Sequence, residues 1–215
     1  SKLDWEIMKM IAEKMGYGKY FQWETTEDVF NEMRGITPQY AGITYAKLEG
    51  DGIQWPCPTE DHPGTAILHI DKFAGMPDGK AKLQAIEHRP PAEVIDEEYP
   101  IWLTTGATIW HWPSGSMTRR CTQLDRDAPT AWLEMNPADA AKKGFADGEK
   151  VILYSRRGEV AVNVRITPNI KEGVFFMPFH FIEARANLVT NTAYDPVSRT
   201  PEFKVCAVNV KKQEA

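Results

Sequence analysis

"NPADAAKKGFADGEKVILYSRRGEVAVNVRI", residues 136–166, changes its character within one short span. It begins as a two-turn helix that carries its own punctuation. Asn136 is suited to the N-cap, Pro137 to the first helical position, and Gly144 to the stop. It continues as a β-hairpin, which Asp147-Gly148 opens and Arg156-Arg157-Gly158 turns.

The segments on either side also read as short strands. "YPIWLTTG" (99–106) is a buried strand and "AWLEM" (131–135) is another. "GVFFMPF" (173–179) and "FKVCAVNVKK" (203–212) supply the last strands. Short strands, one capped helix and tight glycine turns predict a small β-barrel.

The first third of the chain differs. "DWEIMKMIAEKM" (4–15) has apolar residues at helical spacing, and Gly16 stops it. "TTEDVFNEMRG" (25–35) reads as a second helix, with Thr25 or Thr26 as cap, acids in the first turn and Gly35 at the end. From Ile36 to about Pro91 prolines and glycines leave no sustained period. So long an irregular stretch is unusual inside a compact domain and suits a segment lying along a larger body. The expected organisation is a helical segment at 1–35, an irregular connecting segment at 36–97 and a barrel at 98–215.

Composition narrows the function. The net charge of −5 disfavours nucleic acid, which needs a broad basic face. No apolar run approaches the roughly 18 to 20 residues of a membrane span. The three cysteines, Cys57, Cys121 and Cys206, are odd in number and widely spaced, which fits a reducing, cytoplasmic compartment.

Few residues have catalytic spacing. Cys57, His62 and His69 match no standard zinc pattern, and an ordered proline-rich loop with a buried cysteine is the simpler account. Cys121 follows Arg119-Arg120, but no base is indicated, so a packed thiol is expected. Cys206 alternates within a strand and reads as core. "GYGKY" lacks the third glycine and the preceding strand of a phosphate loop.

One loop stands apart: "LTTGATIWHWPSGSMTRR", residues 103–120. Ser114, Ser116 and Thr118 are neutral donors suited to phosphate or ring heteroatoms. Arg119 and Arg120 can neutralise phosphate. His111 and either Trp110 or Trp112 offer donor edges and flat faces. Together they suit an anionic ligand that also carries aromatic rings.

The last 120 residues resemble the C-terminal, molybdopterin-dinucleotide-binding domain of the bis-molybdopterin oxidoreductases. That group contains formate dehydrogenases and periplasmic or assimilatory nitrate reductases. The resemblance rests on "TTG" with "HWPSGSMTRR", "NPADA", "VILYSRRGEV", "GVFFMPFHF", "ANLVTN" and "DPVSRTPEFKVCAV", in that order. It implies a mainly β fold with some helix, a six-stranded double-psi barrel. It implies that the dinucleotide loop spans Thr105, Gly106, Ala107, Thr108, Trp110, His111 and Ser114, with Ser116, Thr118 and Arg119 beyond. Asn187 and Lys204 match positions that contact the cofactor, and Phe179 matches an aromatic near the pterin. In two places the chain departs from its relatives: Ala107 stands where they often have arginine, and Pro113 where they often have histidine.

Within the family, "ITPQYAGITYAKLE", "IQWPCPTEDHPGTAILH" and "FHFIEARANLVTN" look like the formate dehydrogenase branch. The resemblance then implies bis-molybdopterin guanine dinucleotide with molybdenum or tungsten. It implies formate as substrate and an iron–sulfur cluster on the partner segment. The metal-ligating residue and the iron–sulfur cysteines have no counterpart here. The chain is therefore expected to complete a catalytic subunit whose N-terminal part lies elsewhere, served by iron–sulfur or flavin electron-transfer subunits. A nitrate reductase is the alternative within the family. A non-catalytic assembly module built on the same barrel is the alternative outside it.

Overall fold

In the computed structural model, which describes residues 1–73 and 75–213, the chain divides into two units, Ser1–Ala85 and Ile86–Ala215. The second holds six strands: β1 (Ile101–Gly106), β2 (Trp132–Met135), β3 (Lys150–Tyr154), β4 (Glu159–Ile166), β5 (Val174–Pro178) and β6 (Cys206–Lys212). They close a barrel in the order β1-β5-β2-β4-β3-β6, with β6 returning antiparallel to β1. Two pairs are parallel, β1 with β5 and β2 with β4. The six-stranded barrel implied by the resemblance is therefore present.

Alternation along each strand fills the interior. Val151 and Leu153 on β3, Val160, Val162 and Val164 on β4, and Phe175 and Met177 on β5 are all buried. Leu103, Leu133 and Val208 complete the centre at 1% exposure or less. Each such side chain contributes about 1.5–3 kcal/mol when removed from water.

The stretch 136–166 folds as its residues dictate. Helix α5 (Pro137–Lys143) is capped by Asn136, whose side chain accepts the Ala138 N–H at 2.9 Å. The same amide donates to the Ile170 carbonyl at 2.8 Å, tying the helix start to the loop before β5. Gly144 takes the left-handed conformation at φ 70° and ends the helix. Buried Asp139 accepts the Gly173 N–H at 2.8 Å, so the helix is pinned to the β5 entrance. Hairpin β3–β4 pairs Tyr154 with Glu159 across the Ser155–Gly158 turn.

Several boundaries differ from the sequence reading. Strand β6 begins at Cys206, because Phe203–Val205 form a turn. Strand β1 begins at Ile101, after Pro100, which has no N–H to give a ladder. A short helix α4 (Thr122–Asp127), absent from the sequence reading, follows the 103–120 loop. The end of the expected connecting segment belongs with the barrel unit. Glu93 is one tenth exposed and bridges both hairpin arginines. Its carboxylate accepts from Arg156 and Arg157 at 2.7 Å each, and from the Ala207 N–H at 2.9 Å. Asp96 pairs with Arg156 beside it.

The first unit contains α1 (Asp4–Lys14), α2 (Thr26–Ile36) and α3 (Tyr45–Leu48). Thr25 caps α2: its side chain accepts from Asp28 N–H while the Asp28 carboxylate accepts from Thr25 N–H. Gly35 does not stop the helix, which runs one residue further. The stretch expected to be irregular contains α3 and a 3₁₀ turn at Pro38–Tyr40. Cys57 is buried; Lys47 Nζ lies 3.4 Å from its sulfur and donates to the Glu60 and His62 carbonyls. His62 accepts from Gly64 N–H, and His69 stacks on Phe73. Among the described residues no three His, Cys, Asp or Glu side chains converge as metal ligands. No helix among them is long and apolar enough to cross a membrane.

Two measurements check these contacts. Asn136→Ala removes both the cap and the Ile170 bond, and we expect a loss of about 2 kcal/mol in urea unfolding. A loss below about 0.5 kcal/mol is the range of an unremarkable surface position and would contradict the assignment. Glu93 gives a pH prediction. Burial pushes its carboxyl up, but the bonds from Arg157, Ala207 N–H and Arg156 outweigh this and hold it below the usual range. A depressed carboxyl stabilises the fold above its unfolded value, about 4.3, and that stability is lost as pH falls through the folded value. Glu93→Gln should therefore flatten the acid limb of stability against pH below about 4.3. An unchanged acid limb would show that the cluster is not coupled to folding.

Candidate functional site

The site begins where β1 and β5 end side by side. Their parallel register sets Thr105 opposite Met177 and Gly106 opposite Pro178. The chain leaving β1 is the 107–120 loop, and the chain leaving β5 is Phe179-His180-Phe181. Phe179 N–H donates to the Gly106 carbonyl at 3.3 Å, extending the contact beyond the strands. A Cβ at Gly106 would meet the Phe176 ring at 2.8 Å, so any larger residue would have to displace that ring. On the other flank, the turn before β6 lets Lys204 Nζ donate to the Thr105 carbonyl at 2.8 Å. The Thr105 hydroxyl donates to Phe203 O, so it is spent within the protein.

A cleft of about 510 Å³ opens beside this junction. Ser114, Phe179 and Asn187, all expected from the resemblance, line it together. Pro113, Thr190, Asn191, Pro201 and Phe203 complete its wall. Ser114 and Ser116 are exposed, and their hydroxyls are bonded to each other at 2.9 Å. Thr108 presents a different feature: its Oγ1 is buried and has no partner among the described residues. Ala107 is exposed and carries no polar group of its own.

The structure gives the aromatic and basic residues more varied roles. His111 is 4% exposed, and both its ring nitrogens are engaged inside the chain. Its Nε2 lies 2.7 Å from the Ala128 carbonyl, which can only accept, so Nε2 carries the hydrogen. Its Nδ1 then accepts the Thr118 hydroxyl at 3.1 Å, while Thr118 Oγ1 accepts the Trp112 N–H. His111 and Thr118 thus brace the loop from within. Trp110 packs against the barrel core, edge to face with Trp132. Trp112 is the exposed one, at 68%. Of the two tryptophans that the sequence left open, it is the one that offers a free flat face.

Arg119 is committed to protein partners. Both its terminal nitrogens donate to Glu183 at 2.8 Å, its Nε reaches Asp125 at 3.4 Å, and its guanidinium lies over Phe181. A charge so paired presents little free positive field to a phosphate. The expected phosphate partner is here a clamp between the loop and the segment after β5. Lys204 is exposed and keeps donors beyond the Thr105 bond. Cys121, expected as packed, is exposed because it lies at the start of α4 on the outer side of the loop. Cys206 is buried as expected, and burial pushes its thiol up.

Sequence reasoning missed His180, Glu183, Thr190, Asn191 and Phe203. His180 is 1% exposed and bonds both ends of the 108–113 segment. Its signal was present as the histidine between two aromatics just after a strand. Asn191 donates to the Glu202 and Val205 carbonyls at 2.8 and 2.7 Å, shaping the turn that holds Lys204. Its partners lie more than ten residues away and leave no local trace.

A ligand combining phosphate with heteroaromatic rings needs neutral donors, a flat apolar wall and a mobile cation at the rim. In the cleft wall, Ser114 and Asn187 have the chemistry of such donors and Phe179 that of a flat face, while Ser116, Trp112 and Lys204 are exposed on the neighbouring loop and turn. The unpartnered Thr108 hydroxyl is costly unless a group from outside satisfies it. The residues present therefore fit a pterin dinucleotide.

Comparison with known proteins agrees. The chain is 51% identical over 209 residues to the F420-dependent formate dehydrogenase 1 subunit alpha of Methanococcus maripaludis, covering 97% of this chain and 31% of that protein. It is 37% identical to the assimilatory nitrate reductase catalytic subunit of Bacillus subtilis, covering 98% of this chain and 31% of that protein. The chain thus spans about a third of the length of these curated relatives. Among solved structures it superposes on the acetylene hydratase from Pelobacter acetylenicus with a TM-score of 0.65 at 14% identity, over 99% of this chain and 33% of that one. That likeness concerns the fold. A family model described as the molydopterin dinucleotide binding domain matches residues 101–207. With the barrel, the cleft at the β1–β5 end and this match in place, residues 101–207 of the chain belong to the molydopterin dinucleotide binding domain family.

Proposed function

We propose that this chain is the C-terminal, cofactor-holding part of the catalytic subunit of a formate dehydrogenase. The observation that carries the proposal is the cleft where Ser114, Phe179 and Asn187 meet, in a chain half identical to formate dehydrogenase alpha subunits. The cofactor is bis-molybdopterin guanine dinucleotide with molybdenum or tungsten. When bound, it supplies the redox chemistry that interconverts formate and CO2; the protein supplies binding, orientation and electrostatics.

In this reading Thr108, Ser114 and Ser116 donate to phosphate or ring heteroatoms, and the Asn187 amide recognises a polar edge. Phe179 and Trp112 cover ring faces, and Lys204 offsets phosphate charge. Ala107 carries no charged anchor, so more of the neutralisation falls to Lys204. The helices and proline-rich stretch of the first unit pack on the N-terminal remainder of the subunit. That remainder carries the iron–sulfur cluster, and iron–sulfur or flavin subunits take the electrons onward. Unpaired cysteines support a reducing, cytoplasmic location. The nitrate reductase reading is supported by the 37% identity noted above but lies further from the chain than the formate dehydrogenases.

Two experiments test the proposal. Asn187→Ala and Lys204→Ala should each weaken cofactor retention by roughly ten- to a hundredfold, the range for losing a hydrogen bond to a charged group. Elemental analysis for Mo and W, with pterin fluorescence after oxidation, measures it. Wild-type metal content in both variants would overturn the site assignment, and no metal or pterin in the wild-type assembly would leave a non-catalytic barrel module. The assembled enzyme should reduce viologen with formate and fail to oxidise reduced viologen with nitrate; the opposite result would make it an oxyanion reductase.

A further inference from the structure

Two backbone groups of the 107–114 loop converge on one imidazole. Thr108 N–H donates to His180 Nε2 at 2.8 Å. His180 Nδ1 lies 2.7 Å from the Pro113 carbonyl oxygen. An amide N–H can only donate, so Nε2 must be bare. A carbonyl can only accept, so Nδ1 must carry the hydrogen. The two partners therefore select one neutral tautomer. They sit at the two ends of the six-residue span 108–113, and a rigid ring between them sets its chord. Thr108, with its unpartnered buried hydroxyl, is at one end; Ser114, in the cleft wall, follows the other.

The ring itself has little freedom. His180 is 1% exposed and packs among Phe179, His111 and Phe181, with centroids at 4.9, 5.9 and 6.2 Å. Its carbonyl also bounds Gly115, which sits at φ 67°; a Cβ there would come within 3.0 Å of the His180 oxygen and 2.8 Å of Arg119 Cδ. The imidazole is thus fixed from the barrel side, and the loop hangs from it.

We propose that His180 is a positioning residue for the cofactor: its Nδ1–H tautomer ties Thr108 to Pro113 and holds Thr108 and Ser114 in register with the bound dinucleotide. The second half of this statement rests on the cofactor reading above; the first half stands on the two bonds alone.

The tie responds to pH. A proton on Nε2 would face the Thr108 N–H, donor against donor, and release that end of the loop. Burial holds His180 below the usual histidine range; the Pro113 bond works the other way and His111 adds to the lowering. Among the described residues, the ionised groups on this side are Arg119, behind Gly115, and the carboxylates of Glu183 and Asp125, which pair with Arg119 at 2.8 and 3.4 Å. A histidine with a depressed folded value stabilises the fold fully above its unfolded value, about 6.5, and that stability is lost as pH falls through the folded value. Cofactor retention should follow the same course.

Long-range 1H–15N NMR on the 215-residue chain reads the tautomer directly. We expect hydrogen on Nδ1 and titration below about 6.5. An Nε2–H tautomer, or titration at or above that value, would overturn the proposal. In the assembled enzyme, His180→Ala should retain pterin about tenfold less well, as expected for unpairing buried backbone groups. His180→Gln keeps an acceptor for Thr108 and should recover part of the loss. Melting temperature measured alongside separates loss of the loop from loss of the fold. If His180→Ala does not fold, the wild-type tautomer and the His180→Gln variant still decide. Wild-type pterin content in His180→Ala at unchanged melting temperature would sink the positioning role. A wild-type assembly without pterin, but with hydrogen on Nδ1, would overturn the cofactor reading while the tie itself stands.

Discussion

The parallel pairing of β1 with β5 is the constraint on which the site depends. Parallel neighbours cannot be joined by a tight turn, so the chain between them makes α4, β2, α5, β3 and β4 before it returns. Two ends remote in sequence therefore emerge together, Gly106 beside Pro178. The loop after one end and the aromatic run after the other then meet without further machinery. β6 adds the third contributor: its antiparallel register to β1 places the preceding turn so that Lys204 reaches Thr105.

The loop itself is held by hydrogen bonds to two buried histidines. His111 and His180 stand 5.9 Å apart as opposite tautomers, each fixed by a backbone carbonyl. Thr118, Trp112, Thr108 and Pro113 complete the pattern. Arg119 serves the same end through Glu183 and Asp125. Residues whose chemistry suits a ligand are thus divided into two sets. One is consumed in shaping the loop. The other set lines the cleft or is exposed beside it, namely Ser114, Asn187, Lys204 and Trp112, together with the Thr108 hydroxyl, which has no partner among the described residues. Such preorganisation lowers the ordering cost of binding.

Much of the barrel was legible because its signals are local. Asn136, Pro137 and Gly144 mark α5 by capping chemistry that acts within four residues. Val151 to Val164 alternate because a strand presents its two faces in turn. The boundary at Phe203–Val205 was not legible: the residues suit a strand, and the turn is imposed by Asn191 bonding two carbonyls across the chain. The role of Glu93 was hidden for the same reason, since its arginine partners lie more than sixty residues away.

Legible in the sequence were the strands, the helix caps, the family, and a loop rich in donors and flat faces. They were so because they depend on neighbours within a turn or on an ordered set of motifs. Tertiary contacts settled which loop side chains stay exposed and which are spent on partners inside the protein. Trp110 and Trp112, Arg119 and Lys204, His111 and Ser114 are chemically eligible in each pair. Burial, and the carbonyls and carboxylates that barrel closure brings beside them, separate the two roles.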